Sequence, residues 1–125
     1  MEPLILTATA TTPSVNFDSQ TGSLEIHGRS TPENPIAYYT RMIQWVEKYA
    51  EIPSQETMVR VYFEYFNTSS SKCLLELMKK IKNIQTEGNK VRWIWMYEEG
   101  DDDMKEAGSD FSDLLKVPFS LIAKQ

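Results

Sequence analysis

The chain has 125 residues, which is enough for one compact domain and too few for two, so we expect a single domain over residues 1–125. Apolar residues make up 41% and aromatic residues 11% of the sequence, and these fractions exclude an intrinsically disordered chain. Thirteen Lys and Arg against 18 Asp and Glu give a net charge of −5, which disfavours nucleic acid and anionic membrane surfaces as partners.

Cysteine content and the lack of long apolar runs indicate the compartment. Cys73 is the only cysteine and cannot form an internal disulfide, which suits a reducing cytoplasm. The apolar run at 4–6 is too short for the core of a signal peptide, and no run approaches the roughly 20 apolar residues of a membrane span. We expect a cytoplasmic protein without a membrane segment.

The first predicted element is a β-hairpin. Residues 1–12 end in an alternation of Thr and Ala and are expected to be mobile or loosely attached. Two alternating runs follow, 14–18 and 23–27, joined by a four-residue loop that contains Gly22, and this pattern predicts two antiparallel strands. In the second strand, two residues should face the core and two should face water: Leu24 and Ile26, and Glu25 and His27, respectively.

The first helix is predicted from Asn34 and Pro35, a capping residue followed by proline at the first helical position, and it should run to about Ala50. Two apolar stripes lie side by side on it, one of Ile36, Tyr39, Ile43, Val46 and Ala50, the other of Tyr38, Met42, Trp45 and Tyr49. The second stripe either packs in the core or forms an interface. Glu33 and Asn34 either only cap the helix or also contact a partner.

A strand–helix–strand unit follows. Residues 58–66 alternate and predict a strand, with Val59, Val61, Phe63 and Tyr65 on one face. The next helix should bury Leu74, Leu77, Met78, Ile81 and Ile84, with Gly88 as its carboxyl-terminal cap. Residues 91–97 are almost all apolar, which is typical of a strand covered on both faces. Together these elements predict a βαβ unit with parallel strands.

The chain should end with a helix and a short strand. An acidic segment, 98–103, precedes a predicted helix at 102–115, whose Asp-rich first turn suits the positive end of the helix dipole. Residues 118–123 predict the final strand. The element order β-β-α-β-α-β-α-β is that of an α/β domain, a mixed sheet with an N-terminal hairpin and three helices packed on it.

Motifs for catalysis and metal binding are absent from the sequence. His27 is the only histidine, so it cannot form a zinc site, and we expect it to be a solvent-facing residue. Cys73 in the first turn of a helix is either a small packing residue or a thiol of lowered pKa. The acidic segment 98–103 lacks the spacing of a calcium loop, and a helix start explains it. We therefore expect no metal, no cofactor and no enzyme activity.

The segment Asn67-Thr68-Ser69-Ser70 supports two interpretations. It lies between a central strand and a helix, where open α/β sheets display functional groups. Asn, Ser and Thr are preferred capping residues, so one or two of them are explained by capping alone. Four hydroxyls from Thr68 to Ser71 exceed that need, and a hydroxyl at a helix start can also carry a phosphoryl group.

Several motifs together resemble a known family. Within β-α-β-α of this length, a strand that ends in a hydroxyl cluster is similar to the STAS domains of anti-sigma factor antagonists. A closer match is to the SiaC family of bacterial regulatory phosphoproteins. The matching motifs are Thr12-Pro13, Gly22-x-Leu24-x-Ile26-x-Gly28-x-Ser30-x-Pro32-Glu33-Asn34, Trp45-Val46-Glu47 and Asn67-Thr68-Ser69-Ser70.

This resemblance implies a STAS-like fold and a partner-switching function. In the SiaC family the unphosphorylated protein binds a diguanylate cyclase and promotes cyclic-di-GMP synthesis. A cognate Ser/Thr protein kinase phosphorylates the residue matching Thr68, and a PP2C-type phosphatase reverses the modification. The residues implied in partner binding are Asn67, Thr68, Ser69 and Ser70.

Two alternatives remain open from the sequence. An anti-sigma factor antagonist would bind a kinase that holds a sigma factor, although that branch carries Asp where this chain has Asn67. An enzyme would use Thr68 or Ser69 as a nucleophile, and it would need His27 within hydrogen-bond reach as the base.

Overall fold

A computed structural model describes all residues, 1–125, as one mixed sheet of six strands with three helices. The strands are β1 (Leu4–Leu6), β2 (Ser14–Asp18), β3 (Ser23–Ser30), β4 (Glu56–Phe66), β5 (Lys90–Glu98) and β6 (Phe119–Lys124). The helices are α1 (Pro35–Tyr49), α2 (Thr68–Lys82) and α3 (Asp102–Leu115). The strand order along the sheet is the order along the chain.

The connections place all three helices on one side of the sheet. β1, β2 and β3 are antiparallel, whereas β3 to β6 are parallel, with one helix in each crossover. Each crossover advances one strand in the same direction, and right-handed crossovers of that kind leave their helices on the same face. The predicted mixed sheet, N-terminal hairpin and three helices are confirmed, with β1 as an additional strand.

The core lies between the sheet and the helices. Alternate strand residues are buried against the helices, among them Val15, Phe17, Leu24, Ile26, Val59, Val61, Phe63, Trp93 and Trp95. The opposite surface, here called the open face, carries the intervening side chains, which are exposed or half-buried. The expectation that β5 is covered on both faces is wrong, because Ile94 and Met96 are only half-buried on the open face. No second helix layer covers this face, because the three crossover helices all pack on the other side of the sheet.

The N-terminal segment is better ordered than its composition predicts. β1 pairs antiparallel with β2, with Leu4 opposite Phe17 and Leu6 opposite Val15. The indole Nε1 of Trp45 donates to the carbonyl of Glu2 at 2.9 Å, which joins the segment to α1. The expectation of a loosely attached segment 1–12 is therefore wrong for β1, since three residues are too few to show the alternation of a strand.

A β-bulge changes the side-chain phase at the end of β4. Gly28 pairs with Phe63, but the next residue, Arg29, pairs with Tyr65, so one residue of β4 has no partner on β3. Tyr65, expected on the same face as Val59, Val61 and Phe63, is 47% exposed, and the Arg29 guanidinium lies 5.5 Å from its ring centroid. Phe66 packs instead against Phe111 and Trp95. The expectation that Tyr65 shares a face with Phe63 is therefore wrong.

The helix predictions need two corrections. On α1 the buried residues are drawn from both stripes, namely Tyr39, Met42, Val46 and Tyr49, whereas Ile36 and Ala50 at the ends are exposed. Met42 and Tyr49 thus belong to the core and are not available as an interface. α2 ends earlier than expected, at Lys82 with Asn83 as its cap, so Gly88 is not the cap and lies in the following turn.

Candidate functional site

The segment singled out in the sequence lies at the carboxyl end of β4, where α2 begins. Asn67 has an extended backbone and is the amino-terminal cap of α2: its Oδ1 accepts a hydrogen bond from the backbone N–H of Ser70 at 2.9 Å. The N–H of Asn67 donates to the carbonyl of Ser30 at 3.2 Å. The cap is thus fixed both to its own helix and to the end of β3.

Two of the four consecutive hydroxyls are committed to the structure. Ser70 is completely buried, and its hydroxyl donates to the Ser30 carbonyl at 3.0 Å and accepts from the Ser30 hydroxyl at 2.9 Å. Ser71 donates to the carbonyl of Thr68 at 2.8 Å. The resemblance places Ser70 among the partner-binding residues, but its buried side chain is out of reach of a partner.

The other two hydroxyls, those of Thr68 and Ser69, are exposed and make no side-chain hydrogen bond within the protein. They are the first two residues of α2, where backbone N–H groups have no partner inside the helix. These N–H groups and the positive end of the helix dipole stabilise a negative group attached nearby. Both hydroxyls can therefore carry a phosphoryl group without a change of fold.

A third hydroxyl group extends the buried contact. The Tyr39 hydroxyl lies 2.7 Å from the Ser30 hydroxyl. Because the single proton of the Ser30 hydroxyl is donated to Ser70, Tyr39 is the donor in this bond. Burial raises the pKa of Tyr39 well above its usual range, so the group stays protonated. We call Tyr39, Ser30 and Ser70 the hydroxyl chain.

Sequence reasoning did not find the hydroxyl chain. Ser30 was part of a matching motif without a role, and Tyr39 was one residue of an apolar stripe. Its members lie on β3, α1 and α2, and Ser30 is separated by 40 residues from Ser70. No spacing rule connects residues that only the tertiary fold brings together.

A shallow apolar groove lies beside the exposed hydroxyls. It has a volume of about 240 Å³, runs between α2 and α3, and is lined by Phe66, Ser71, Ala107, Asp110, Phe111 and Leu114. Ser71 is one helical turn from Thr68, and Leu114 is exposed at the rim. A molecule bound over this groove would also lie close to Thr68.

The remaining candidates show structural roles. The His27 ring stacks on Tyr62, with ring centroids 4.9 Å apart, and makes no side-chain hydrogen bond to Thr68 or Ser69. Burial raises the pKa of the Cys73 thiol, with Glu76 as a smaller contributor, so the thiol is not activated. Asp101 caps α3 by accepting from the N–H of Met104 at 3.0 Å.

Neither a cluster of metal-binding side chains nor a helix that could cross a membrane is found. No three acidic, histidine or cysteine side chains are grouped closely enough to hold a metal ion. None of the three helices is both long and apolar enough to cross a bilayer.

Comparison with known families is decisive for classification. The model of a family described as SiaC family regulatory phosphoprotein matches residues 6–124. The chain belongs to the SiaC family. A relative of the SiaC-family chain in Pseudomonas aeruginosa strain UCBPP-PA14, an uncharacterized protein, is 27% identical over 123 residues, covering 98% of each chain.

Solved SiaC structures share the fold over its whole length. The crystal structure of apo-SiaC from Pseudomonas aeruginosa has a TM-score of 0.85 at 25% identity, covering 98% of this chain and 100% of that one. In the crystal structure of the diguanylate cyclase SiaD in complex with its activator SiaC, also from Pseudomonas aeruginosa, the similar chain has a TM-score of 0.88 at 26% identity. That match covers 97% of this chain and 99% of the other.

Proposed function

We propose that this protein is a phosphorylation-controlled activator of a diguanylate cyclase in the cytoplasm. The unphosphorylated form binds the cyclase and raises cyclic-di-GMP synthesis, a Ser/Thr protein kinase inactivates it by phosphorylating Thr68, and a PP2C-type phosphatase restores it. The observation that carries the proposal is the exposed hydroxyl of Thr68 at the start of α2, in a chain of the SiaC family. The SiaC of Pseudomonas aeruginosa is an activator of the cyclase SiaD.

Phosphorylation and dephosphorylation of Thr68 require only ATP and water as co-reactants. In the forward step the Thr68 oxygen forms a bond to the γ-phosphorus of ATP, the bond from that phosphorus to the β–γ bridging oxygen breaks, and ADP and a proton are released. In the reverse step water attacks the phosphoryl group, which leaves as inorganic phosphate, and the hydroxyl is regenerated. Neither step requires a catalytic residue from this chain.

Phosphorylation changes the surface and leaves the fold intact. A phosphoryl group adds about −1.5 to −2 charges at Thr68. The free N–H groups at the start of α2 accommodate that charge within the protein. A partner that covers Thr68 would have to desolvate the dianion, which costs several kcal/mol and is enough to abolish micromolar binding. The switch then acts by local occlusion of the docking surface.

Mass spectrometry of the protein purified from its own cells tests this proposal. Intact mass and phosphopeptide mapping should find one phosphate, on Thr68, under at least one growth condition. Thr68→Ala should remove that phosphate, whereas the matched variant Ser69→Ala, one residue away and also exposed, should retain it. A phosphate on another residue, or none under any condition, would overturn the proposal.

A further inference from the structure

We propose that the hydroxyl chain of Tyr39, Ser30 and Ser70 fixes the start of α2 and thereby selects Thr68 as the phosphoryl acceptor. This inference rests on the proposed function, since it concerns which of four neighbouring hydroxyls is modified. Ser30 and Tyr39 act through Ser70 and are positioning residues. They do not themselves contact the kinase.

The selection problem follows from the sequence around the cap. Asn, Thr and Ser are all strong amino-terminal caps, so α2 could begin after any residue from Asn67 to Ser70. Residues of this kind also bond to nearby backbone groups in non-helical conformations, which weakens the first turn. Each shift of the cap by one residue would place a different hydroxyl at the exposed first position of the helix. Local propensity alone therefore does not define a single acceptor.

Tertiary contacts remove this ambiguity. Ser70 is completely buried and bonded to both the carbonyl and the hydroxyl of Ser30, so it cannot serve as an exposed cap. The Ser30 carbonyl also accepts from the N–H of Asn67. With both ends of the segment tied to β3, Asn67 is held in place as the cap of the helix, and Thr68 is its first residue.

A fixed first turn also separates Thr68 from Ser69. Successive helical residues point about 100° apart around the axis, so two adjacent hydroxyls face different directions. A kinase docked in one orientation then reaches one of them. If the turn unwinds, the hydroxyls of Ser69 and Ser70 can occupy the same position as that of Thr68, and the selectivity is lost.

The fold provides a matched control at the other end of α1. Tyr49 and Thr57 form a second buried hydroxyl pair, 2.9 Å apart, which joins α1 to the start of strand β4 rather than to α2. Thr57→Val removes a buried hydroxyl there without touching the start of α2. It reports what the loss of a buried hydrogen bond does to stability in general.

The test compares Ser30→Ala/Tyr39→Phe with Thr57→Val. The double variant leaves the sequence 67–71 intact for the kinase, and no buried hydroxyl of Tyr39 is left unpaired. Amide hydrogen exchange at Ser70 and Ser71, followed by NMR on the purified protein, should be roughly tenfold faster in the double variant than in the control. Phosphopeptides from cells should carry phosphate on Ser69 or Ser70 in addition to Thr68 only in the double variant.

Each outcome decides between clear alternatives. Phosphate on Thr68 alone in both variants, with unchanged exchange at Ser70 and Ser71, would overturn the positioning role while leaving the proposed function intact. Equal changes in the two variants would assign the effect to general stability and also overturn it. If the wild-type protein carries no phosphate on Thr68, the proposed function fails and the selection of Thr68 fails with it. Should the double variant not fold, Ser30→Ala alone serves for the same comparison.

Discussion

Gly108 on α3 lies directly against the indole ring of Trp95 on β5. A Cβ atom at position 108 would come within 2.6 Å of Cγ and 2.7 Å of Nε1 of that ring. The same Nε1 donates a hydrogen bond to the carbonyl of Met104 at 3.0 Å, which fixes the ring's orientation. The missing side chain therefore sets how closely α3 approaches the sheet.

Gly108→Ala should destabilise the protein by about 1–3 kcal/mol, because the methyl group must displace a buried, hydrogen-bonded ring. Urea unfolding should show this as a lower midpoint. Gly88→Ala is the control, since a Cβ atom there meets nothing within 4 Å. Equal midpoints for the two variants would show that α3 adjusts without cost.

Charge at Thr68 should weaken binding to the cyclase. Thr68→Ala should bind a diguanylate cyclase of the same organism as the unphosphorylated wild type does, whereas Thr68→Asp should bind at least about tenfold more weakly. Thr21→Asp is the control, because Thr21 is exposed in the β2–β3 turn, which lies beside the start of β4 and not beside its carboxyl end, where Thr68 is. Isothermal titration and cyclic-di-GMP production measure the difference. Equal affinities for the Thr68 variants would contradict local occlusion, and no effect of the protein on the cyclase would favour a different partner.

Two capping residues allow the effect of a lost cap on stability to be separated from its effect on the phosphorylation of Thr68. Asn67 accepts from the N–H of Ser70, and Asn34 accepts from the N–H of Ala37 at 3.1 Å. Replacing either by Ala should cost about 0.5–2 kcal/mol. Only Asn67→Ala should also change phosphorylation of Thr68, measured as phosphopeptide occupancy in cells. The prediction fails if Asn34→Ala lowers occupancy by the same amount.

Alkaline pH should reveal the buried state of Tyr39. Burial raises its pKa in the folded protein, whereas the unfolded chain ionises near pH 10. Above that pH the unfolded state binds fewer protons than the folded state, so stability falls as pH rises, by up to about 1.4 kcal/mol per pH unit. The difference in unfolding free energy between wild type and Tyr39→Phe should therefore be constant below about pH 9 and change above pH 10 in favour of the variant. A difference that stays constant through this range would contradict the buried, protonated state.

Periodicity predicted most of the fold because each long element has one buried face. The limits of α3 agree with the structure, and every residue of the stripe predicted for the second helix is buried, although Ile84 lies two residues beyond the end of α2. Errors arose where one residue changes the phase or where an element is short. The β-bulge before Tyr65 moves that side chain to the open face, and β1 has too few residues to alternate.

The site was only partly predictable for the same reason. Capping preferences placed the start of α2 within the segment 67–71 but did not single out Asn67, which the structure makes the cap through its contact with Ser70. Composition could not distinguish the exposed hydroxyl of Thr68 from the buried one of Ser70, because both are small polar residues in one run. That distinction depends on Ser30, which only the pairing of β3 with β4 brings to this place.

The agreement between strand order in the sheet and strand order in the chain has a consequence for folding. Each new strand pairs with the one made just before it, so every closed loop contains at most one helix and its entropy cost stays small. All members of the hydroxyl chain lie between β3 and α2. During synthesis the hydroxyl chain can therefore form before α3 leaves the ribosome. The remaining residues then add strands to the edge of a sheet that already exists.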